Sequence, residues 1–395
     1  PPREELSSSW REPGAAPAVK RDDRPVSGGR ALLEALGRID LILLASACVL
    51  TLLGLWSLAG ATHGTSLANV ADKQLLWFGI ALGALAMVLV IDYHWLGRLA
   101  PFAYVANLAL LAAVLVVGTE VNSAKSWFRV GPLSFQPAET MKIATVLVLA
   151  QWWAHRPEGA GRLRDLLVPA MIAGASAVLI LRQPDLGSAC LFAVIFGALL
   201  VWAGVRRWIL ALLVGVALLG AASAWPVLKP YQKERIYTFI DPSRDPLNSG
   251  YQVIQSTVAI GAGGVLGRGW GEGTQAVHRY LPEAHTDFIF AATVEQLGLV
   301  GALGVLALYG IMLWRMLAAV HLARDRFGAF VVVGLGAIIV GHVAINVGMN
   351  VGLFPITGLP LPFMSYGGSF LVAMFVVVGL VLNVSMRRFV FARSS

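Results

Sequence analysis

The sequence predicts an all-α, polytopic membrane protein with about ten transmembrane helices, and two observations carry this prediction. Of the 395 residues, 57% are hydrophobic and only 13% are charged, whereas soluble domains carry roughly 25% charged residues. The apolar residues are also gathered into long runs, each near the ~20 residues that a helix needs to cross a bilayer. Helices are expected because a backbone in lipid must satisfy its own hydrogen bonds.

Ten apolar stretches follow a polar N-terminal segment. Residues 1–39 are rich in Pro, Arg, Glu, Ser and Gly and show no apolar period, which predicts a disordered cytoplasmic tail. Residues 40–395 are predicted to form one transmembrane domain. Its apolar stretches cover roughly residues 40–61, 74–92, 100–118, 138–154, 166–181, 186–205, 208–228, 287–317, 328–351 and 365–386.

Basic residues orient the predicted spans. With the N-terminus inside, the short inner loops and the C-terminal tail carry Arg98, Arg156, Arg162, Arg164, Arg206, Arg207, Arg315, Arg324, Arg326, Arg387, Arg388 and Arg393. The short outer loops carry only Lys73, Lys125, Arg129 and Arg182. This asymmetry follows the positive-inside rule and predicts that both termini lie in the cytoplasm. The net charge of +8 therefore requires no nucleic acid partner.

The longest connection, residues 229–286, is predicted to lie outside the membrane between spans seven and eight. It is basic although it faces outward, which favours an anionic ligand at the outer surface. Residues 261–273 are glycine-rich, and the amides of such loops bind phosphate in some proteins. No Gly-Lys-Ser/Thr follows, so this is not a P-loop. A tight fold of the loop against the helices is the simpler interpretation.

Ionisable residues occur where the predicted spans meet the outer surface. Asp287 begins span eight, where a carboxylate is either functional or a simple helix cap. Glu139 and Lys142 begin span four and are three residues apart, so they share a helix face and can pair. A lysine inside a membrane span favours a functional role over simple anchoring. Asp185 either caps span six or belongs to the same outer cluster.

Span nine carries a polar stripe. His342, Asn346 and Asn350 recur every four residues and therefore line one helix face. Such a stripe lines a cavity or holds helices together, and the second case is the more common one. The inner ends of the spans are expected to lack a comparable cluster of ionisable residues. These patterns predict a site at the outer face, open to lipid, for an amphipathic and anionic substrate.

Several motifs give the sequence a family resemblance. They are WFRVGPLSFQPAETMK at 127–142, QPDLGS at 183–188, DPLNSGYQVIQS at 245–256, GTQ at 273–275, LPEAHTDFIFAATVEQLG at 281–298 and PLPFMSYGGS at 360–369. With these motifs the chain resembles the SEDS family (shape, elongation, division and sporulation), and within it the elongation branch more than the division branch. The resemblance covers essentially everything after residue 40. The chain departs from the usual family pattern at Ala138, Thr140 and Gln296.

The resemblance implies a glycosyltransferase that builds peptidoglycan glycan chains from lipid II, a disaccharide-pentapeptide on undecaprenyl pyrophosphate. Asp287 matches the family's essential aspartate and is expected to act as the general base that deprotonates the acceptor hydroxyl. The candidates for substrate binding are Lys142, Glu139, Arg129, Asp185, Arg235 and His285. The cations among them would neutralise the pyrophosphate, and a divalent cation such as Mg²⁺ or Mn²⁺ is a further candidate for that task.

The resemblance also implies partners and leaves two alternatives. The expected partners are a class B penicillin-binding protein that crosslinks the glycan product, other proteins of the elongation complex, and membrane lipid. One alternative is a lipid II flippase or other transporter, whose site should lie near the bilayer midplane. The crowding of ionisable residues at the outer edge favours the enzyme. The other alternative, a structural scaffold for cell-wall partners, predicts that Asp287 is dispensable.

Overall fold

The computed structural model describes residues 37–387, except for 66, 68, 122–123, 132, 157–162, 224–225, 227–229, 246–248 and 278–279. Residues 1–36 of the predicted tail, and the inner arginines Arg162, Arg388 and Arg393, lie outside the described residues. The described chain is a helical bundle with one small sheet near the start of span four.

The elements follow one another in a simple order. The helices are α1 (Leu41–Ala61), α2 (Val70–Val90), α3 (Tyr93–Val117), α4 (Pro137–Ala154), α5 (Leu167–Arg182), α6 (Leu186–Trp202), α7 (Arg207–Ser223), α8 (Pro230–Ile240), α9 (Ser249–Gly263), α10 (Thr274–Val277), α11 (Ile289–Leu322), α12 (Arg326–Asn350) and α13 (Gly368–Met386). Short 3₁₀ helices cover Leu163–Leu166 and Pro242–Arg244. The strands are β1 (Thr119–Val121), β2 (Ala124–Val130) and β3 (Leu133–Phe135).

Each of the ten predicted apolar stretches coincides with a helix, which confirms a polytopic all-α membrane protein. Among the described residues, seven helices are long and apolar enough to cross a membrane: α1, α2, α3, α5 with its preceding 3₁₀ turn, α11, α12 and α13. Helix α6 and most of α7 are shorter apolar helices, and α4 occupies the remaining stretch. The number of spans and their orientation stay predictions.

Helices α12 and α13 lie at the centre of the bundle, because they are the most buried of the long apolar helices. Helix α13 packs mainly against α2, helix α12 packs against α4, α6 and α11, and helix α11 packs against α1 and α9. The polar stripe of α12 is therefore surrounded by protein, not by lipid. The same packing brings the starts of α4 and α11 near the end of α12.

Two parts of the loops contain structure that the hydropathy pattern does not predict. Residues 119–135 form an antiparallel sheet in the order β1-β2-β3 between α3 and α4. The large connection 229–286 contains helices α8, α9 and α10. Helix α9 lies directly against α11, so this connection forms part of the folded body that surrounds the start of α11.

The glycine-rich stretch docks on a break in α11. Gly298 interrupts that helix with a φ of +67°, a left-handed conformation that favours glycine. The amide of Arg268 donates to the Glu295 carbonyl at 2.9 Å, and the amide of Leu299 donates to the Gly264 carbonyl at 2.9 Å. The loop thus satisfies backbone groups that the break leaves unpaired. This confirms the simpler interpretation, a tight fold against the helices, over a phosphate cradle.

Candidate active site

Asp287 lies immediately before α11 and does not cap it. The N-cap residue is Phe288, which makes no side-chain capping bond, so the helix-cap interpretation of Asp287 is wrong. The Asp287 side chain is partly exposed. Within the part of the chain that the structure describes, its carboxylate makes no hydrogen bond or ion pair. The Asp287 carboxylate therefore has no structural role in the described part of the fold.

The polar stripe of α12 holds the main chain of Asp287. Asn346 Nδ2 donates to the Asp287 carbonyl at 2.8 Å, and Asn350 Nδ2 donates to the same oxygen at 3.1 Å. Asn346 Nδ2 also donates to the Leu359 carbonyl at 2.7 Å. Both asparagines are completely buried. The stripe thus holds helices together, as the more common interpretation predicts, and at the same time it fixes the position of Asp287.

The segment 360–369 holds the same turn from its other side. The Ser365 hydroxyl donates to the Thr286 carbonyl at 2.6 Å, and the Tyr366 amide donates to the His285 carbonyl at 2.9 Å. Three consecutive carbonyls, from His285 to Asp287, are therefore held by side chains or amides from elsewhere in the chain. Sequence reasoning did not assign a role to Ser365 or Tyr366, although both belong to the motif PLPFMSYGGS.

Burial and charged neighbours together set the pKa of Asp287. Burial raises the pKa of this carboxyl to about 7, and the nearby Glu283 carboxylate acts in the same direction. Arg235, on α8, lowers the pKa, and Asp185 adds a small increase. The fold thus brings Asp287 close to Asp185, from the start of predicted span six, and to Arg235, from the large predicted connection. A carboxyl with a pKa near neutrality is suited to exchange a proton at physiological pH.

Glu139 and Lys142 form the predicted pair, and the pair extends to a third residue. Lys142 Nζ lies 2.9 Å from Glu139 Oε1 and 2.8 Å from His342 Nε2. His342 Nδ1 lies 3.1 Å from the Pro360 carbonyl, so Nδ1 is assigned as the donor and Nε2 as the acceptor of the Lys142 proton. Lys142 is fully buried. Its ammonium group links α4 to α12 through these contacts and is not exposed to solvent.

The remaining predicted residues occupy different places. Asp185 caps α6 by accepting a bond from the Ser188 amide at 2.9 Å, which confirms its capping interpretation. His285 is half-buried, with Nε2 3.9 Å from Glu283 Oε2, and lines a cavity of about 130 Å³ beside Glu283. Arg129 is exposed on β2. No contact among the described residues ties Arg129 to Asp287.

Glu295 is a buried carboxylate that sequence reasoning missed. It is fully buried on α11 and accepts bonds from the Gln275 amide at 3.0 Å and the Thr274 hydroxyl at 3.3 Å. The neighbouring Gln296, one of the departures from the family pattern, donates to the Ser57 carbonyl of α1 at 3.0 Å. Both residues hold the first part of α11 in place. A carboxylate inside an apolar stretch is the sequence signal by which Glu295 could have been identified.

The described residues contain no group of three or more His, Cys, Asp or Glu side chains placed to hold a metal ion. Mg²⁺ is commonly held by one or two carboxylates together with substrate phosphates. The divalent cation therefore stays a prediction, and no metal-binding group is assigned to the chain.

A helical bundle with an uncommitted, partly buried carboxylate at one end defines a polytopic membrane protein with a candidate acid–base site. The chain belongs to the FtsW/RodA/SpoVE family of cell cycle proteins, whose family model matches residues 38–389. This confirms the family predicted from the motifs.

The chain is similar to curated relatives along most of its length. It is 38% identical over 320 residues to stage V sporulation protein E of Bacillus subtilis (strain 168), covering 80% of this chain and 86% of that protein. It is 35% identical over 361 residues to the peptidoglycan glycosyltransferase MrdB of Escherichia coli (strain K12), covering 90% and 94%. It is also 39% identical over 320 residues to a probable peptidoglycan glycosyltransferase FtsW of Thiomicrospira cyclica, covering 79% and 81%.

Solved structures share the fold. One, described as showing structural coordination of polymerization and crosslinking by a peptidoglycan synthase complex, aligns with a TM-score of 0.78 at 36% identity, covering 89% of this chain and 98% of that chain. The crystal structure of the rod shape determining protein RodA of Thermus thermophilus aligns with a TM-score of 0.68 at 30% identity, again covering 89% and 98%.

Proposed function

We propose that this protein is a peptidoglycan glycosyltransferase that polymerises glycan chains from lipid II during cell elongation and rod-shape maintenance. The observation that carries the proposal is the uncommitted carboxylate of Asp287, held by Asn346 and Asn350 at the start of α11. The relatives named peptidoglycan glycosyltransferase support the reaction class. Similarity to RodA and MrdB along nearly the whole chain supports the role in elongation.

In this mechanism Asp287 is the general base. Its carboxylate takes the proton from the 4-hydroxyl of the acceptor GlcNAc as that oxygen forms a bond to the anomeric carbon of the donor MurNAc. The bond from this carbon to the pyrophosphate oxygen breaks, the configuration inverts, and polyprenyl pyrophosphate leaves with the electron pair. A base whose pKa lies near the working pH is effective because enough of it is deprotonated while it still binds a proton well.

The leaving group needs positive charge. Arg235 is the candidate that acts electrostatically on Asp287, and a guanidinium binds phosphate oxygens through two parallel hydrogen bonds. Lys142 is buried between Glu139 and His342, so we assign it to holding α4 against α12. Arg129 and a divalent cation carried by the pyrophosphate remain further candidates for binding the leaving group.

The site is proposed to lie at the outer face of the cytoplasmic membrane, where a class B penicillin-binding protein would crosslink the product. The positive-inside asymmetry of the arginines supports this orientation. A flippase is the alternative. It is less well supported, because the polar stripe of α12, which would suit a transport path, is occupied by bonds to main-chain carbonyls.

The function is tested by supplying labelled lipid II to the purified protein, with and without its penicillin-binding partner. We expect glycan chains to form. Lipid II supplied only to the outer side of oriented proteoliposomes should be polymerised without first crossing the bilayer. Transport of inner-leaflet lipid II with no glycan formed, even with the partner present, would establish the flippase instead.

The rate should depend on pH through Asp287. Only the deprotonated carboxylate can act as the base, so kcat/KM should fall about tenfold per pH unit below about 7 and level off above it. Glu283→Gln removes a charge that raises the pKa, so it should move the midpoint to lower pH. Arg235→Gln removes a charge that lowers the pKa, so it should move the midpoint to higher pH. Equal midpoints in all three proteins would show that another group controls the rate.

We expect Asn346, on α12, to affect catalytic activity as well as protein stability. Asn346→Leu leaves the buried Leu359 carbonyl without its donor, which typically costs about 1–3 kcal/mol of stability, and leaves the Asp287 carbonyl with only the 3.1 Å bond from Asn350. Asn383→Leu is the matched control, since Asn383 Nδ2 donates to the Val88 carbonyl at 2.6 Å near the opposite end of the bundle. We expect both variants to lower the unfolding temperature, and only Asn346→Leu to lower glycan yield per folded molecule. A similar yield from both would assign Asn346 to stability alone.

A further inference from the structure

A second cavity, of about 440 Å³, lies at the opposite end of the bundle from Asp287. It is formed by the start of α3, the end of α4 and the start of α12, and its polar lining consists of His94, Arg98, Gln151, His155, Asp325 and Arg326. By the positive-inside pattern this end faces the cytoplasm. This group of ionisable residues stands against the expectation that the inner ends of the spans lack a comparable cluster. The mechanism proposed above makes no use of this cavity.

The carboxylates beside this cavity already have partners within the protein. His94 Nδ1 lies 2.8 Å from Asp92 Oδ1, and His94 Nε2 lies 3.2 Å from Asp325 Oδ2. Arg387 pairs with Asp92 at 3.2 Å, and the Tyr93 hydroxyl donates to Asp325 at 2.8 Å. Arg387 balances the charge of Asp92, so among the described lining residues Arg98 and Arg326 face the single carboxylate of Asp325, and this net positive charge favours an anion over a cation.

Two arginines at the cavity lie within cation–π distance of aromatic rings. The Arg98 guanidinium lies 5.0 Å from the centroid of Trp95, and the Arg326 guanidinium lies 5.9 Å from that of Phe330. A cation–π contact of this kind restrains a guanidinium, and each guanidinium carries five N–H donors in a planar arrangement that matches phosphate oxygens. Trp95 is 59% exposed on the outside of the bundle, as expected of an aromatic residue at the membrane interface.

Gln151 favours a ligand that carries a hydroxyl group. Its Oε1 atom is buried and has no hydrogen-bond partner among the described residues. A buried acceptor without a donor is costly, so a ligand that brings a hydroxyl group would stabilise it. The ring nitrogen Nδ1 of the adjacent His155 lies 2.8 Å from the Gln151 main-chain carbonyl. The cavity thus combines cationic donors for a phosphate with an acceptor for a hydroxyl.

We propose that this cavity binds a glycerophosphate group with free hydroxyls, supplied by the headgroup of an anionic phospholipid such as phosphatidylglycerol. Arg98 and Arg326 contact the phosphodiester, and Gln151 Oε1 accepts from a glycerol hydroxyl. Basic pockets between transmembrane helices on the cytoplasmic side are suited to anionic headgroups. Trp95 and Leu99 follow the lining residues His94 and Arg98 directly in sequence, and their apolar side chains are exposed, so the acyl chains would lie beside them.

Native mass spectrometry of the full-length protein tests this proposal. The protein is released from micelles that contain equal amounts of phosphatidylglycerol and phosphatidylethanolamine, and the retained lipid is counted. We expect wild type to retain phosphatidylglycerol. The double variant Arg98→Gln/Arg326→Gln should bind it about 25-fold more weakly, because each arginine near an anionic headgroup contributes roughly a factor of five. Arg206→Gln/Arg207→Gln is the control, since it removes two exposed arginines of the same end that do not line the cavity.

Two further measurements test the role of Gln151 and whether the glycerophosphate group comes from a lipid. Gln151→Leu should reduce the preference for phosphatidylglycerol over phosphatidic acid, which has no glycerol hydroxyls in its headgroup. Thermal stabilisation by glycerol phosphate without lipid would assign the site to a soluble phosphate ester, whereas stabilisation by phosphatidylglycerol alone would assign it to the lipid. Equal retention by wild type and the Arg98/Arg326 variant, or an equal loss in the Arg206/Arg207 control, would overturn the proposal.

Discussion

Asp287→Asn should abolish glycan polymerisation while leaving the protein folded. The amide has nearly the size of the carboxylate but cannot take a proton from the acceptor hydroxyl. General-base catalysis typically contributes about 10²- to 10⁴-fold, so product formation from labelled lipid II should fall by at least that range. The measurement is glycan yield per folded molecule, with the penicillin-binding partner present.

The structure explains why this variant should fold. Asn346 and Asn350 bind the main-chain carbonyl of residue 287, not its side chain, so these bonds persist in the variant. The carboxylate itself is destabilising when charged, because the fold raises its pKa to about 7 and thus disfavours the charged form. At pH 8 the unfolding temperature of Asp287→Asn should therefore equal or exceed that of wild type.

A matched control is available on α8. Glu234→Gln makes the same chemical change at an exposed carboxylate, and its glycan yield should stay near that of wild type. If Asp287→Asn also polymerises at a near-normal rate, Asp287 is not the base. The scaffold interpretation, in which this residue is dispensable, would then be favoured.

Lys142→Met should cause the largest loss of stability among single changes at the site. It leaves Glu139 buried without its cation and removes the donor to His342 Nε2. Breaking a buried ion pair by removing one partner typically costs about 3–5 kcal/mol. We expect a large decrease in unfolding temperature and loss of activity, measured by thermal unfolding and by glycan yield.

The double variant Glu139→Gln/Lys142→Met distinguishes structure from substrate binding. It removes both charges, so much of the lost stability should return. If Lys142 acts only by holding α4 against α12, lipid II binding per folded molecule should then be close to wild type. Weak lipid II binding by this stable double variant would instead show that Lys142 contacts the pyrophosphate, as the sequence predicts.

Local patterns allowed much of the fold and part of the site to be predicted. Long apolar runs determined the membrane class and the positions of the helices, because the need to satisfy backbone hydrogen bonds in lipid depends on composition along the chain. The spacing of Glu139 and Lys142 determined their pairing, because residues three apart share a helix face. The motif around Asp287 determined the family and marked the carboxylate.

Only the tertiary structure decided what surrounds these residues. Asn350 reaches the Asp287 carbonyl across 63 residues of sequence, and Lys142 reaches His342 across 200. Such contacts depend on how each helix is rotated against its neighbours, and a four-residue period shows only that the side chains share a face. The same holds for the arginine-lined cavity at the opposite end, since the start of α12 meets α3 and α4 there from a distant part of the sequence.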